Sequence, residues 1–289
     1  MSGSRIKTLV IAALVLLNVF FLTVIVMDAA ADARNERQAI ENVCIVLRAG
    51  GLIIDPGDIQ ADRSLRTMRT ARGDSAEEAI VRAILGPTEM TVQGMIHLYE
   101  NPDRGIAEFY SGGDFRISLV DGPAAGERGS IPAVRRLLGE MGLETSDLVL
   151  EIRQSGETVT AVSSYRGTRI FNCTIDFVYA NGILETVAGR YVTDVEPSEE
   201  GAGISHVGTA LLSFLTAVRS DDREDVVCTR IDSVTAGFQH QVVGSFGEGV
   251  MMPVWLIITD MGSYIVVDAT GEVLPVIQGI DPQGARIRR

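Results

Sequence analysis

The chain has 289 residues and a formal net charge of −13 at neutral pH. An acidic balance of that size argues against nucleic acid or an anionic lipid surface as partners of the folded part. Three cysteines, Cys44, Cys173 and Cys228, are too few for a disulfide framework. Each sits among apolar residues and reads as a small buried hydrophobe, although an oxidising compartment leaves one bridge open to any pair of them.

Residues 1–7 carry Arg5 and Lys7, Thr8–Met27 is a run of twenty residues without a charge, and Asp28 and Asp32 come after it. At about 1.5 Å per residue a helix of this length spans a hydrocarbon core of about 30 Å. Basic residues stay on the cytoplasmic side of a first membrane segment. The expectation is therefore a cytoplasmic tail at 1–7, a single transmembrane helix at 8–27 in the cytoplasmic membrane, and everything from residue 28 outside. Ala29-Ala30-Ala31 also offers a small-x-small signal-peptidase site. The run, however, is longer than the about 7–15 residues of a signal h-region and brings bulky Ile25 and Met27 up to that site, so retention as an anchor is expected. Leu14, Asn18, Phe21 and Ile25 fall on one heptad-like stripe, with the Asn18 amide near mid-membrane, and together form a contact face for a partner helix.

Beyond the anchor about 260 residues remain, enough for one large or two modest domains. Residues 28–121 read as a helical and stranded part. Ala33–Ala49 has Ile40, Val43, Cys44 and Leu47 at helical spacing and stops at Gly50-Gly51. Asp74-Ser75 caps a helix through Leu85, with Glu77 and Glu78 in its positive first turn and Gly86-Pro87 beyond its end. Strands are expected at Met95–Tyr99, Ile106–Tyr110 and Phe115–Val120, separated by Gly- and Asn-rich turns.

Gly122–Gly129 reads as a loop and a boundary, opening a middle helix-plus-sheet module at 122–193. Ser130 caps a helix that ends at Gly142, and strands come next at Leu148–Ile152, Thr158–Tyr165, Phe171–Tyr179 and Leu184–Val192. Asn181-Gly182 is a strong hairpin signal between the last two. Residues 194–204, acidic and carrying Pro197, Gly201 and Gly203, read as an exposed linker. The module at 205–289 repeats the order: a helix with Val207, Leu211, Phe214 and Val218 on one stripe, then strands at Val226–Ile231, Ala236–Val243, Val254–Thr259 and Tyr264–Asp268. The class expected is α+β, an N-terminal transmembrane helix followed by repeated helix-plus-antiparallel-sheet modules.

Motifs for chemistry are sparse. His97, His206 and His240 are dispersed, with no metal-ligand spacing. Gly244–Gly249 and Gly122–Ser130 read as loops, since the first lacks a nucleophile elbow and the second the lysine of a phosphate loop. Asp55/Asp58 and Asp221/Asp222/Glu224/Asp225 read as solvated turns, because their spacing matches no calcium loop. Trp255 reads as core. Asn172-Cys173-Thr174 is a glycosylation sequon inside an expected strand. No catalytic, metal or cofactor residues are assigned, and no enzymatic activity is expected.

Arg5-Ile6-Lys7-Thr8-Leu9-Val10-Ile11, running on to Leu17-Asn18, resembles the opening of the YycI family of Gram-positive regulators. Met252-Pro253-Val254-Trp255-Leu256-Ile257-Ile258-Thr259-Asp260-Met261-Gly262-Ser263-Tyr264, then Val267-Asp268-Ala269-Thr270-Gly271-Glu272-Val273, also looks like that family and like the helix-plus-sheet modules of PepSY domains. The resemblance covers both ends and leaves 50–130 unmatched. It implies a single-pass protein without catalytic residues that works by contact with a WalK-like sensor histidine kinase of the WalK/WalR (YycG/YycF) system and with a YycH-like sister membrane protein, in control of the cell wall. The PepSY likeness implies the alternative, a secreted or anchored ligand-binding or inhibitor module.

Overall fold

A computed structural model of the chain describes residues 17–18, 20–23, 27, 34–60, 65–71, 74–126, 130–198, 203–220, 228–243, 248–267 and 270–276. The first continuous helix, α1, spans 34–49 and buries Cys44 and Leu47, with Ile40 and Val43 packed beside them. A one-turn 3-10 helix at Pro56–Asp58 is capped by the Asp55 carboxylate, which accepts from the Gly57 N–H at 2.9 Å. Short strands β1 (Ile59–Gln60) and β2 (Met68–Ala71) lead into α2 (Asp74–Leu85).

Next comes an antiparallel meander of β3 (Glu89–Gln93), β4 (Ile96–Asn101), β5 (Gly105–Tyr110) and β6 (Asp114–Leu119). Helix α3 (Ser130–Met141) buries Val134, Leu137, Leu138 and Met141 along one stripe. It is followed by β7 (Leu148–Ser155), β8 (Thr158–Tyr165), β9 (Thr168–Ala180) and β10 (Ile183–Arg190). Asn181 and Gly182 take φ of 51° and 77°, the doubly left-handed turn that a two-residue hairpin needs. The composition of 122–129 suggests a boundary, yet β6 before it and β10 after it are hydrogen-bonded neighbours, Ile117 opposite Val187. Strands β3-β4-β5-β6-β10-β9-β8-β7 thus form one antiparallel run, covered by α2 and α3.

The segment expected as a linker starts as β11 (Thr193–Pro197), paired to β2. Helix α4 (Val207–Ser220) comes next, then β12 (Ile231–Val242), β13 (Glu248–Thr259), β14 (Gly262–Val267) and β15 (Glu272–Pro275). The sequence suggests two strands between 226 and 243. The described residues hold one, because the Asp232-Ser233 interruption is absorbed as a register shift between Ile231 and Ser233 rather than a break. Residues 226–227 lie outside those described.

The strand expected to begin at Val254 extends back through Pro253, which lies inside β13 opposite Phe238. On its other side β13 pairs with β2 up to Met251 and with β14 from Val254. Proline lacks its N–H at the position where no neighbouring strand asks for one.

The two halves meet along β9. Its later residues pair with β10, while Ile170 near its start pairs in parallel with Phe238 of β12. The first half has its core under α2 and α3, the second under α1 and α4, where Phe214 and Trp255 are fully buried. The α+β class expected from the sequence is what the chain adopts.

Candidate interaction site

Of the expected membrane-contact stripe, Asn18 and Phe21 fall among the described residues, where both are helical and exposed, and Phe21 stacks edge-on against Phe20 at 5.9 Å. Leu14 and Ile25 lie outside the described residues, as does most of Thr8–Met27. Among the described residues no helix is long and apolar enough to cross a membrane.

Where the N-terminal helix ends, the structure is specific. Leu47 and Leu52 are fully buried in the α4 core, and the Arg219 guanidinium donates to the Gly50 carbonyl. Beyond that point the Ile53 N–H donates to the Thr229 carbonyl and the Ile231 N–H to the Ile53 carbonyl, at 2.9 and 2.8 Å. The end of α1 is thereby fastened to α4 and to the start of β12.

A cleft of about 310 Å³ opens between α2, α3 and the chain leaving β6. Ile84, Leu119 and Leu137 supply apolar lining, with Arg104, Arg136 and Asp121 among its charged groups. Arg104 donates to the Ile84 carbonyl at the end of α2 at 3.5 Å, and Arg136 approaches Glu140 at 4.0 Å. A pocket with both signs of charge around an apolar floor can seat a small zwitterionic group or one side chain of a partner.

The polar residues singled out in the sequence have structural partners. His206 accepts the Gly208 N–H at 3.0 Å and so caps α4. His240 is buried, its Nε2 at 3.0 Å from Thr70 Oγ1, and Gly249 is required beside them, since a Cβ there would run into the His240 ring. Asn172 does not present its amide to solvent: it donates to the His240 carbonyl at 2.7 Å and accepts the His240 N–H at 2.8 Å.

Glu77 corrects the sequence reading. Its position suggests a dipole-facing charge in the first turn of α2, whereas it is buried against His97 Nδ1 at 2.9 Å and the Tyr99 hydroxyl at 3.4 Å. A signal for this exists: Glu77 precedes Ile80 and Val81 by three and four residues, on the same apolar face. The three cysteines are buried free thiols, and burial pushes the Cys173 thiol up to about 12. Among the described residues no cluster of His, Cys, Asp and Glu could hold a metal. The acidic cluster at 221–225, like residues 244–247, lies outside them.

No protein-family model and no curated protein matches the sequence. Among solved structures, an uncharacterized protein from Eubacterium rectale ATCC 33656 is similar at 8% identity and a TM-score of 0.45, over 75% of this chain and 89% of that one. YycH from Bacillus subtilis is similar at 10% identity and a TM-score of 0.38, over 76% of this chain and 52% of that one, so the chain spans about half of it. The C-terminal domain of YpeB from Bacillus megaterium is similar at 9% identity and a TM-score of 0.30, over 73% of this chain and all of that one.

Proposed function

We propose that this chain is a membrane-anchored extracytoplasmic regulator, with no catalytic step of its own, that modulates a WalK-like sensor histidine kinase controlling cell-wall homeostasis. The observation that carries the reading is the uncharged run Thr8–Met27, entered through Arg5 and Lys7. The chain immediately after that run supports it. Helix α1 builds its apolar side into the α4 core, so a displacement carried to α1 reaches the folded part.

The stripe Leu14, Asn18, Phe21 and Ile25 is the face that meets a helix of the kinase or of a YycH-like sister protein. An interhelical hydrogen bond from Asn18 contributes roughly 0.6–2 kcal/mol, enough to shift a balanced kinase equilibrium several-fold. The test is affinity capture of the full-length chain in mild detergent. Asn18→Leu is expected to insert and fold normally while retaining less of the kinase or sister protein and altering the response. Parent-like capture and signalling by that variant would remove the helix-contact mechanism, and recovery of the chain in culture fluid beginning near Asp32 would remove the anchor.

The cleft beside Arg104, Arg136 and Asp121 favours a second reading, a secreted or anchored PepSY-like ligand-binding or inhibitor module. Saturable binding of a short peptide, lost in Arg136→Glu, distinguishes it from the first.

A further inference from the structure

The two ends of the long antiparallel run are finished differently. At β7 the outer edge is closed by the chain itself: the Leu148 N–H donates to Thr145 Oγ1 at 3.0 Å, the Leu150 N–H to the Glu144 carboxylate at 3.1 Å, and the Leu148 carbonyl accepts from the Thr145 N–H. At the opposite end β3 pairs, among the described residues, with β4 alone, is exposed along its whole length, and has no register shift. Met90 and Val92 are 52% and 57% exposed, and Met95 at the hairpin tip 58%. Lysine, proline and bulges, the usual guards of an edge, are missing from Glu-Met-Thr-Val-Gln.

Register says which backbone groups face outward. Gln93 and Ile96 close the two-residue turn at Gly94-Met95, so Gln93, Thr91 and Glu89 exchange hydrogen bonds with β4, while Met90 and Val92, opposite Tyr99 and His97, turn theirs away. The same alternation counted from the Ser155–Thr158 turn correctly turns Leu148 and Leu150 outward on β7.

We propose that β3 is a self-association edge, at which a second copy of this chain adds its own β3 antiparallel about a two-fold axis through Thr91. In that register Met90 faces Val92 of the partner copy and Val92 faces its Met90, joined by about four N–H···O bonds from the outward groups of those residues. Glu89 faces Gln93, so the one charge on each strand meets an amide rather than its like. In a chain of net charge −13 the central residues Met90–Gln93 form an uncharged strip, with Glu89 and the Glu100 opposite it confined to the strand end. The other exposed side chains fit as well, since the apolar pair Met90/Val92 lies on one face of the combined sheet and Thr91 meets Thr91 on the other. The proposal does not depend on the anchor or on any kinase.

The full-length chain in detergent tests it. Across the axis the two Thr91 residues are a non-hydrogen-bonded pair with Cα atoms about 4.5 Å apart, within disulfide reach. Thr91→Cys is therefore expected to give a covalent dimer under mild oxidation. Glu89→Cys alone does not, since the two copies of residue 89 are four positions out of register, roughly 13 Å apart. Glu89→Cys mixed with Gln93→Cys does. The parent, whose cysteines are buried, is the blank.

A second variant reads non-covalent association. The Val92 N–H points out, so Val92→Pro removes no bond within the monomer but two across the axis, and is expected to weaken self-association about tenfold with circular dichroism unchanged. A folded Thr91→Cys chain that forms no dimer, or that cross-links only to a different protein, overturns the proposal. Equal dimer yields from Thr91→Cys and Glu89→Cys overturn the register, and parent-like association of Val92→Pro overturns the edge.

Discussion

Around α2 and α3 the core is an aromatic ladder: Tyr99 lies edge-on to Phe109 at 5.7 Å, Phe109 stacks on Phe115 at 5.4 Å, and Phe115 meets Tyr191 at 5.8 Å. Around α1 and α4 the same construction of helices on antiparallel strands holds different material. It contains Trp255, all three thiols, and the His240–Thr70 contact. The ladder is held by shape, and the one buried carboxylate among the described residues, Glu77, is met by His97 and by the hydroxyl of Tyr99, a ladder residue itself. The other core is held partly by polar groups that fit at one register only. That register-locked core is the one into which α1 is built. The aromatic half, at the far end of the sheet, has the open edge and the cleft. One half is suited to receiving a displacement from the N-terminal helix, the other to presenting a surface.

If the halves are one cooperative unit, damage to either core is felt in both. Phe214 is fully buried and its ring lies 5.2 Å from that of Tyr264, so Phe214→Ala is expected to cost about 3–5 kcal/mol. Trp255, the sole tryptophan, reports on the α4 core by fluorescence, while far-UV circular dichroism reports on the whole. The two denaturation curves are expected to coincide in the parent and in the variant. Separate transitions would show that β9 does not couple the halves.

The seam itself is a smaller target. Among the described residues Ile170 opposite Phe238 joins β9 to β12, and the Asn172 amide extends that pairing by bonding both ways with the His240 backbone. Asn172→Leu leaves that N–H and carbonyl without their partner and is expected to cost about 2–3 kcal/mol. Its sharper signature is loss of coincidence between the two probes.

Much of this architecture is legible in the sequence because its signals are local. Asp74 at the start of α2, Ser130 at the start of α3 and Asn181-Gly182 between β9 and β10 each state their own geometry, and the elements form there. The features that sequence does not disclose are set by neighbours far along the chain. Pro253 is tolerated in β13 because β2 and β14 leave a gap beside it, and β11 exists because β2 supplies an edge to a segment that looks like linker. β3 is hidden since Glu89 and Gln93 are polar and exposed, and Met95, expected in a strand, is the turn. For the site, Glu77 is visible in the apolar pattern, but its charge suggests a solvated first turn and only its phase suggests burial. The Leu14–Ile25 stripe is a statement about sequence that the described residues touch only at Asn18 and Phe21.

The two cores should also differ in alkali. Cys173 is fully buried as a neutral thiol, and burial raises its pKa from 9.0 to about 12; Cys44 and Cys228 are raised by the same cause. The unfolded chain ionises Cys173 from about pH 9, whereas the folded chain keeps it neutral up to about 12. Its contribution is therefore intact below pH 9 and is lost as pH rises toward 12, by about 1.4 kcal/mol per pH unit. Cys173→Ala is expected to flatten that decline while costing a constant amount at lower pH. A decline equally steep in the variant would place the alkaline sensitivity elsewhere, for instance at Tyr179 in the aromatic half, whose hydroxyl is also raised by burial.

The smallest expected effect lies where the aromatic half nears the seam. Arg190 at the end of β10 grips Asp114 at the start of β6 with two bonds, Nε to Oδ1 at 3.1 Å and Nη2 to Oδ2 at 2.8 Å. The geometry is the fork that arginine alone offers, but the Asp114 side chain is 57% exposed, and water screens most of the attraction. Arg190→Lys keeps the charge and gives up the second bond, so the expected cost is about 0.5 kcal/mol, vanishing in concentrated salt. A cost well above that, persisting in salt, would mean that the Arg190 stem packing beside Gly113, with Val242 of β12 on the same glycine, ties the aromatic half to the other through contact rather than charge. The comparison of the two halves would then have to count Arg190 with Asn172 as part of the seam.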